Sequence, residues 1–462
     1  MDVERVCARL TVALGETPVM GDPASQPVHT LYWPADRFDH HTVPRAGADA
    51  RALQARLLAT PASLASLCGL GGAAHSVATA RLDARRFAET PTRMKHEAPQ
   101  TWLVHAVHDR LRRRLAERAV ADVRVDFEDG YGVRTDAAED RDADRVGDAL
   151  ARAVGDGALC ARAGVRIKAM TPELYPRARR TLSRVLARLG VHGRWPETFV
   201  LTVPKVTHAE QAAVADALLS ALEQEHGRPP GSLRLEVMVE THESLVAADG
   251  RNPLPAIIDA AVPRLLGVHL GVYDFTAAMR VPPGGQAPDH PHCARARSMM
   301  RLAAGGRVHL SDGASNAIPA GTDAAVRRAW QANLRHVMGA LRDGYVQGWD
   351  MHPGQLVMRH LGNILFWLRD YDDVAARLAA LLKTAVVASG AQTVEGAVLD
   401  EPATGRALLR AVKRGWFVGA LDDADLAAAG LGPGDLGATS FAALVTRRQA
   451  RGVDGSEGET DG

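Results

Sequence analysis

The chain repeatedly runs short alternating or continuous apolar stretches into polar residues. "VRVDFEDGYG" shows the pattern well: Val123, Val125 and Phe127 fall on one side, Arg124, Asp126 and Glu128 on the other, and Gly130 supplies a turn. Period two predicts a strand over 123–128 that ends in carboxylates. Similar runs are "VHTLYWP" from Val28, "GVRIKAM" from Gly164, "TFVLTVPK" from Thr198 and "LRLEVMVET" from Leu233. "LLGVHLGVYD" from Leu265, "RVHLSD" from Arg307 and "GWDMHPG" from Gly348 complete the series. Between them lie segments such as "PRARRTLSRVLARLG" and "AEQAAVADALLSALEQEHG", whose apolar residues recur at helical spacing. Strand and helix alternating in this way predict an α/β chain with a parallel sheet.

Eight such units over about 340 residues suit a (β/α)8 TIM barrel, here spanning 28–370. Residues 43–121 separate the first two strands and read as a helical insertion, longer than one crossover helix requires. Residues 371–450 read as a helical C-terminal extension, and the small, acidic stretch 451–462 as a disordered tail. A doubly wound open sheet is the alternative, but its best phosphate loop, "GLGGAA" from Gly69, follows a poor strand, "ASLASLC". The phosphate loop G-x-x-x-x-G-K-[ST] does not occur.

Composition narrows the function. Of 462 residues, 46% are hydrophobic and 24% charged, the values of a globular protein. Lys+Arg 55 against Asp+Glu 54 leaves no bulk field for nucleic acid or an anionic membrane, so partners should be small molecules. Cys7, Cys68, Cys160 and Cys293 are scattered, without a C-x-x-C pair, and predict reduced thiols. The acids in "MDVERVCARLTVALGE" do not suit an export signal, and no apolar run reaches membrane-spanning length, so a cytoplasmic protein is expected. Five residues are lysine: Lys95, Lys168, Lys205, Lys383 and Lys413.

In a barrel the site forms where strands end. The second run delivers Glu128 and Asp129, the third Arg166 and Lys168, the fourth Lys205 and the fifth Glu240. The sixth delivers Asp274, the seventh Asp312 and the eighth His352. Two separated carboxylates, Glu240 and Asp274, suit Mg²⁺, a hard ion held by one or two protein carboxylates while it keeps other oxygen ligands. "DHPHC", with His290, His292 and Cys293, lacks a matching second ligand pair for zinc and reads as a surface loop, as do His40 and His41.

"VRVDFEDGYG", "GVRIKAM", "VPK", "VMVETHESL", "GVYDFTAAM" and "GWDMHPGQL" resemble, in this order, the motifs of the HpcH/HpaI aldolase and citrate lyase β-subunit family. That family belongs to the phosphoenolpyruvate/pyruvate superfamily of barrels, and "HTLYWPADRF" is similar to its first strand. The closest likeness is to an uncharacterised branch, here with a long insertion after the first strand. The resemblance implies a Mg²⁺-dependent carbon-carbon lyase that works through a metal-stabilised enolate on a 2-oxo acid or a hydroxyacyl thioester. It implies Glu240 and Asp274 as metal ligands, Arg166 as the substrate-binding arginine, and Glu128 with Asp129 as the acidic strand end that orients the metal and its waters. Lys168, Lys205 and His352 complete the expected substrate-binding set, and family members are often homo-oligomers.

Some residues depart from the family. His242 and Glu243 follow Thr241 where small residues are usual, Phe275 replaces a leucine, and no coenzyme A signature is separable. Three alternatives stay open: phosphoenolpyruvate-linked phosphoryl transfer on the same metal, a barrel that binds 2-oxo acids without turnover, and a Schiff-base aldolase using Lys168 or Lys205. Asp312 and His352 are the candidates for general acid or base.

Overall fold

The computed structural model describes residues 25–71, 77–387, 393–395, 398–400 and 402–456. Eight parallel strands close into a barrel in chain order, β1 pairing with β2 and so on round to β8, which pairs with β1. They are β1 (His29–Pro34), β2 (Asp122–Asp126), β3 (Arg162–Arg166), β4 (Thr198–Val203), β5 (Leu233–Val239), β6 (Leu265–Leu270), β7 (His309–Ala314) and β8 (Gln347–Asp350). The protein therefore has the (β/α)8 fold read from its sequence, and every expected run carries one strand. Strand ends shift by a few residues: β2 stops at Asp126, two residues before Glu128, and β3 begins at Arg162.

Among the described residues a 3-10 turn (Ala35–Arg37) and five α-helices lie between β1 and β2: α1 (Thr42–Leu57), α2 (Pro61–Cys68), α3 (Val77–Glu89), α4 (Pro91–Glu97) and α5 (Pro99–Arg118). The stretch before "GLGG" is thus a helix, ended by Gly69 in the left-handed region, and no dinucleotide-type strand precedes it. Residues 72–76, which include the end of that motif, lie outside the described residues, as do the N-terminal stretch with Cys7 and residues 457–462 of the expected tail.

Each later strand is followed by helix. These are α6 (Asp136–Gly155), α7 (Tyr175–His192), α8 (Ala209–Glu225), α9 (Leu254–Asp259), α10 (Val272–Ala278), α11 (Pro291–Ala304), α12 (Asp323–Arg342) and α13 (Pro353–Arg369). In α7 the buried residues Ala178, Leu182, Val185, Leu186 and Leu189 recur at three- and four-residue spacing and form one apolar face. Its arginines meet the acids of α6 at the same spacing: Arg180 with Asp140, Arg184 with Asp144, and Arg188 with Asp148. Much of the arginine-rich pattern in this region is this paired ladder.

The chain forms two compact units, one of Gln26–Leu57 with Leu115–Arg359, which holds the barrel, and one of Leu58–Arg114 with the described residues from His360 onward. The second unit contains α14 (Tyr371–Val387), the antiparallel strands β9 (Thr393–Glu395) and β10 (Val398–Asp400), α15 (Pro402–Phe417), α16 (Asp423–Ala428) and α17 (Phe441–Ser456). Within it the buried Arg110 guanidinium donates to Asp422 at 2.8 Å and Asp425 at 2.6 Å. Among the described residues no helix is long and apolar enough to cross a membrane.

The barrel interior is partly polar. Arg124, fully buried on β2, reaches Glu236 of β5 at 2.7 Å, Asp122 at 2.5 Å and Thr202 of β4 at 3.0 Å. Glu236 also meets His269 of β6 at 3.0 Å, and His269 accepts from the Trp349 indole at 3.0 Å. Burial pushes the Glu236 carboxyl up, but Arg124 and His269 outweigh it and hold it well below the usual carboxylate range. The polar side of the alternating strands thus faces a neutralised barrel interior rather than water.

Candidate functional site

The site begins with a residue the sequence reading passed over. Asp126 ends β2 opposite Arg166, the last residue of β3 and its partner in the parallel ladder. One carboxylate clamps that arginine twice, accepting from Nε and Nη2 at 2.7 Å each. It also accepts the main-chain N–H of Glu128 at 3.0 Å and of Gly130 at 2.8 Å, so the turn after the strand wraps around it. A Cβ at Gly130 would lie 2.5 Å from Asp126 Oδ2, which is why glycine suits this turn. "DFEDG" is therefore a turn built on Asp126 that ends the ladder and presents Glu128 and Asp129.

Lys205 is the hub of those presented groups. Its Nζ lies 2.5 Å from Glu128 Oε1, 3.2 Å from Asp129 Oδ2 and 3.4 Å from Asp274 Oδ2. Its main chain is left-handed, φ 54°, a conformation uncommon for a side-chain-bearing residue. There its N–H donates to Glu240 Oε1 at 2.6 Å. Glu240 follows β5 directly and is buried. It fits because residue 271, after β6, is glycine: a Cβ there would stand 2.3 Å from Glu240 Cβ and 2.6 Å from Oε2. Asp274 sits in the first turn of α10, immediately beyond.

Charge is unbalanced across this cluster. Asp126, Glu128, Asp129, Glu240 and Asp274 supply five carboxylates, and the cations bonded to them are Arg166 and Lys205. Burial pushes the Glu240 carboxyl up to about 8; Lys205 and Arg166 oppose the shift, while Asp274 and Glu128 add to it. Burial also raises Glu128, against the pull of Arg166 and Lys205. Lys205 shows the complement: burial lowers it, and Glu240, Glu128 and Asp129 more than reverse that, so the ammonium is held charged. Carboxylates this short of positive charge favour a further cation.

Beside the carboxylates, Arg166 rests against aromatic faces, 5.2 Å from the Tyr32 ring centre and 5.7 Å from that of Trp349. Those rings stack at 4.5 Å and pack with Met238 and Ala314, with Tyr273 against them. Asp126, Tyr32 and Trp349 were missed as site residues. Their signal was the polar side of β2 and the aromatic residues in the first and last strands, which meet only because the barrel closes.

The structure brings Glu128, Asp129, Arg166, Lys205, Glu240 and Asp274 together, and sets the other candidates apart. Lys168 donates to the Phe127 carbonyl at 2.7 Å and lies 3.7 Å from Glu139, near the cluster but turned to its own loop. His352 accepts the Gly354 N–H at 3.0 Å, and burial lowers its basicity. Asp312, within β7, pairs with Arg297 at 3.3 Å and lines a separate polar pocket with His336, Asn333 and Arg359. His290 caps α11 by accepting the His292 N–H at 3.2 Å, a structural role for "DHPHC".

Among the described residues no three His, Cys, Asp or Glu side chains converge in the manner of a fully protein-bound metal centre. An oxygen-only site built on two carboxylates, with water completing the shell, is the usual way a protein holds Mg²⁺. Glu240 and Asp274, bridged by Lys205 and short of positive charge, fit such an ion in donor chemistry.

Among solved structures the chain is similar to a citrate lyase from Burkholderia xenovorans LB400, with 23% identity, covering 69% of this chain and 91% of that one, at a TM-score of 0.52. That likeness is one of fold. Haloferax volcanii malate synthase, in a lead(II) complex, is 19% identical over 51% of this chain and 62% of its own length, at a TM-score of 0.41. The magnesium and glyoxylate complex of that synthase is 21% identical over 51% and 64%, at 0.40. Comparison with curated proteins finds no match. A family model described as a domain of unknown function, DUF6986, matches residues 16–444, and the chain belongs to that family.

Proposed function

We propose that the protein is a Mg²⁺-dependent lyase that makes or breaks a carbon-carbon bond next to the carbonyl of a 2-oxo acid or a hydroxyacyl thioester. The observation that carries this reading is the cluster itself: five carboxylates against two cations, at the ends of barrel strands where catalytic groups of this fold collect. The ordered motifs shared with the HpcH/HpaI and citrate lyase β-subunit proteins support it, and so does the citrate lyase fold likeness.

Glu240 and Asp274 would hold the ion, with Glu128 and Asp129 accepting from its waters. When bound, Mg²⁺ supplies Lewis-acid polarisation of a carbonyl and offsets negative charge developing beside it. Arg166 is prepared to receive a substrate carboxylate. Asp126 occupies its Nε and Nη2 side, which locks the guanidinium plane, while Nη1 faces Glu128 Oε2 at 3.3 Å, so a substrate carboxylate would share that edge with Glu128. The stacked Tyr32 and Trp349 rings keep water from one side of that guanidinium. With its ammonium bonded to Glu128, Asp129 and Asp274, which favour the charged form, Lys205 is not placed as a free nucleophilic amine in the cation-free protein.

The test is a screen of 2-oxo acids and hydroxyacyl thioesters by proton NMR, with Mg²⁺ or with chelator. A cleavage product formed only with Mg²⁺ and abolished in Glu240→Gln is the expected result. Turnover that persists in chelator or in Glu240→Gln would contradict the reading.

A further inference from the structure

Lys205 differs from the other cation of the cluster. Arg166 is buried and clamped by two bonds to one carboxylate, so the scaffold sets its position. The Lys205 ammonium is shared among Glu128, Asp129 and Asp274, and its side chain is 35% exposed. Its main chain is pinned separately, by the N–H bond to Glu240. A compact charge on a flexible four-carbon stem can leave while the main-chain hold on Glu240 remains.

A divalent cation held by Glu240 and Asp274 would compete with this ammonium for the same Asp274 carboxylate. Two positive charges at one oxygen repel, and the exposed one moves at least cost. We infer that Lys205 is a built-in counter-ion of the cage, displaced to the rim when a divalent cation is taken up, and that its freed ammonium then receives an anionic group of the substrate. The inference rests on the metal reading above and adds an order to it, cation first and anion second.

Calorimetric titration of Mg²⁺ into wild type, Lys205→Met and Lys205→Arg tests the first half, with circular dichroism melts to verify folding. Removing the competing charge should tighten Mg²⁺ binding about fivefold in Lys205→Met, the upper end of what an exposed ion pair is worth, while Lys205→Arg stays near wild type. Reductive methylation read by mass spectrometry tests the movement itself, because the chain has five lysines to follow. Mg²⁺ should raise methylation of Lys205 in the wild-type protein and leave Lys95 unchanged. Mg²⁺-loaded Lys205→Met should bind oxalate about tenfold more weakly than loaded wild type.

If Lys205→Met binds Mg²⁺ no more tightly than wild type, or if bound Mg²⁺ leaves Lys205 methylation unchanged, displacement is wrong and the metal site stands. Undiminished oxalate binding in loaded Lys205→Met removes the anion-receiving role. If none of the three proteins binds Mg²⁺, the metal reading fails, and the displacement fails with it.

Discussion

Two layers of the same barrel handle charge in opposite ways. Inside, Asp122 and Glu236 meet Arg124 and His269, all of them nearly or fully buried; Glu236 is held ionised, while burial raises Asp122 against the pull of Arg124. At the strand ends, five carboxylates share Arg166 and Lys205, and Glu240 is pushed toward its neutral form. Two strands feed both layers: β2 gives Arg124 inward and Asp126 at its end, while Glu236 lies on β5 and Glu240 directly after it. A matched buried network is scaffold, and an unmatched one leaves a demand that a ligand can meet.

The sharpest way to break the contrast is to unbalance the inner layer. Arg124→Met strands two buried carboxylates and should cost about 3–5 kcal/mol in urea unfolding, with or without Mg²⁺. Glu240→Gln should act in the opposite sense, stabilising the cation-free protein by roughly 1–2 kcal/mol while abolishing Mg²⁺ binding, because a strained functional carboxylate is replaced by a neutral isostere. Calorimetry and melting on the same samples check both halves.

A smaller effect, of about tenfold, is expected in Asp126→Asn, where Arg166 loses its clamp and oxalate binding to the Mg²⁺-loaded protein weakens. The mildest test is pH. The folded-state pKa of Glu240 lies above the ordinary carboxylate value of 4.5, at about 8. Its contribution is fully present below the ordinary value and is lost as pH rises through about 8. Melts in chelator should therefore show a decline over that window in wild type, with the slope reduced in Glu240→Gln.

All eight strands were legible because each packs apolar residues into a short run bounded by turn residues. The end of β2 was misplaced by two residues because Asp126 captures the N–H groups of Glu128 and Gly130, and nothing in local periodicity shows a carboxylate doing so. The grouping of Glu128, Arg166, Lys205, Glu240 and Asp274 was readable, since barrel geometry brings successive strand ends to one face. Asp126 was not, because period two alone assigns a polar side to water, and only closure of the barrel turns that side inward. Asp312 looked equivalent to Asp274 in sequence, yet Arg297 from α11 takes it into a separate pocket, a pairing that depends on how helices pack.

One measurement bears most directly on the strand-end site: calorimetric titration of oxalate, a mimic of the enolate of pyruvate, into metal-stripped protein with and without Mg²⁺, beside Glu240→Gln and Asp274→Asn. Oxalate binding that requires Mg²⁺ and disappears in both variants is the predicted result. Binding indifferent to Mg²⁺ and to both substitutions would contradict it, and the excess negative charge at the strand ends would then need another explanation.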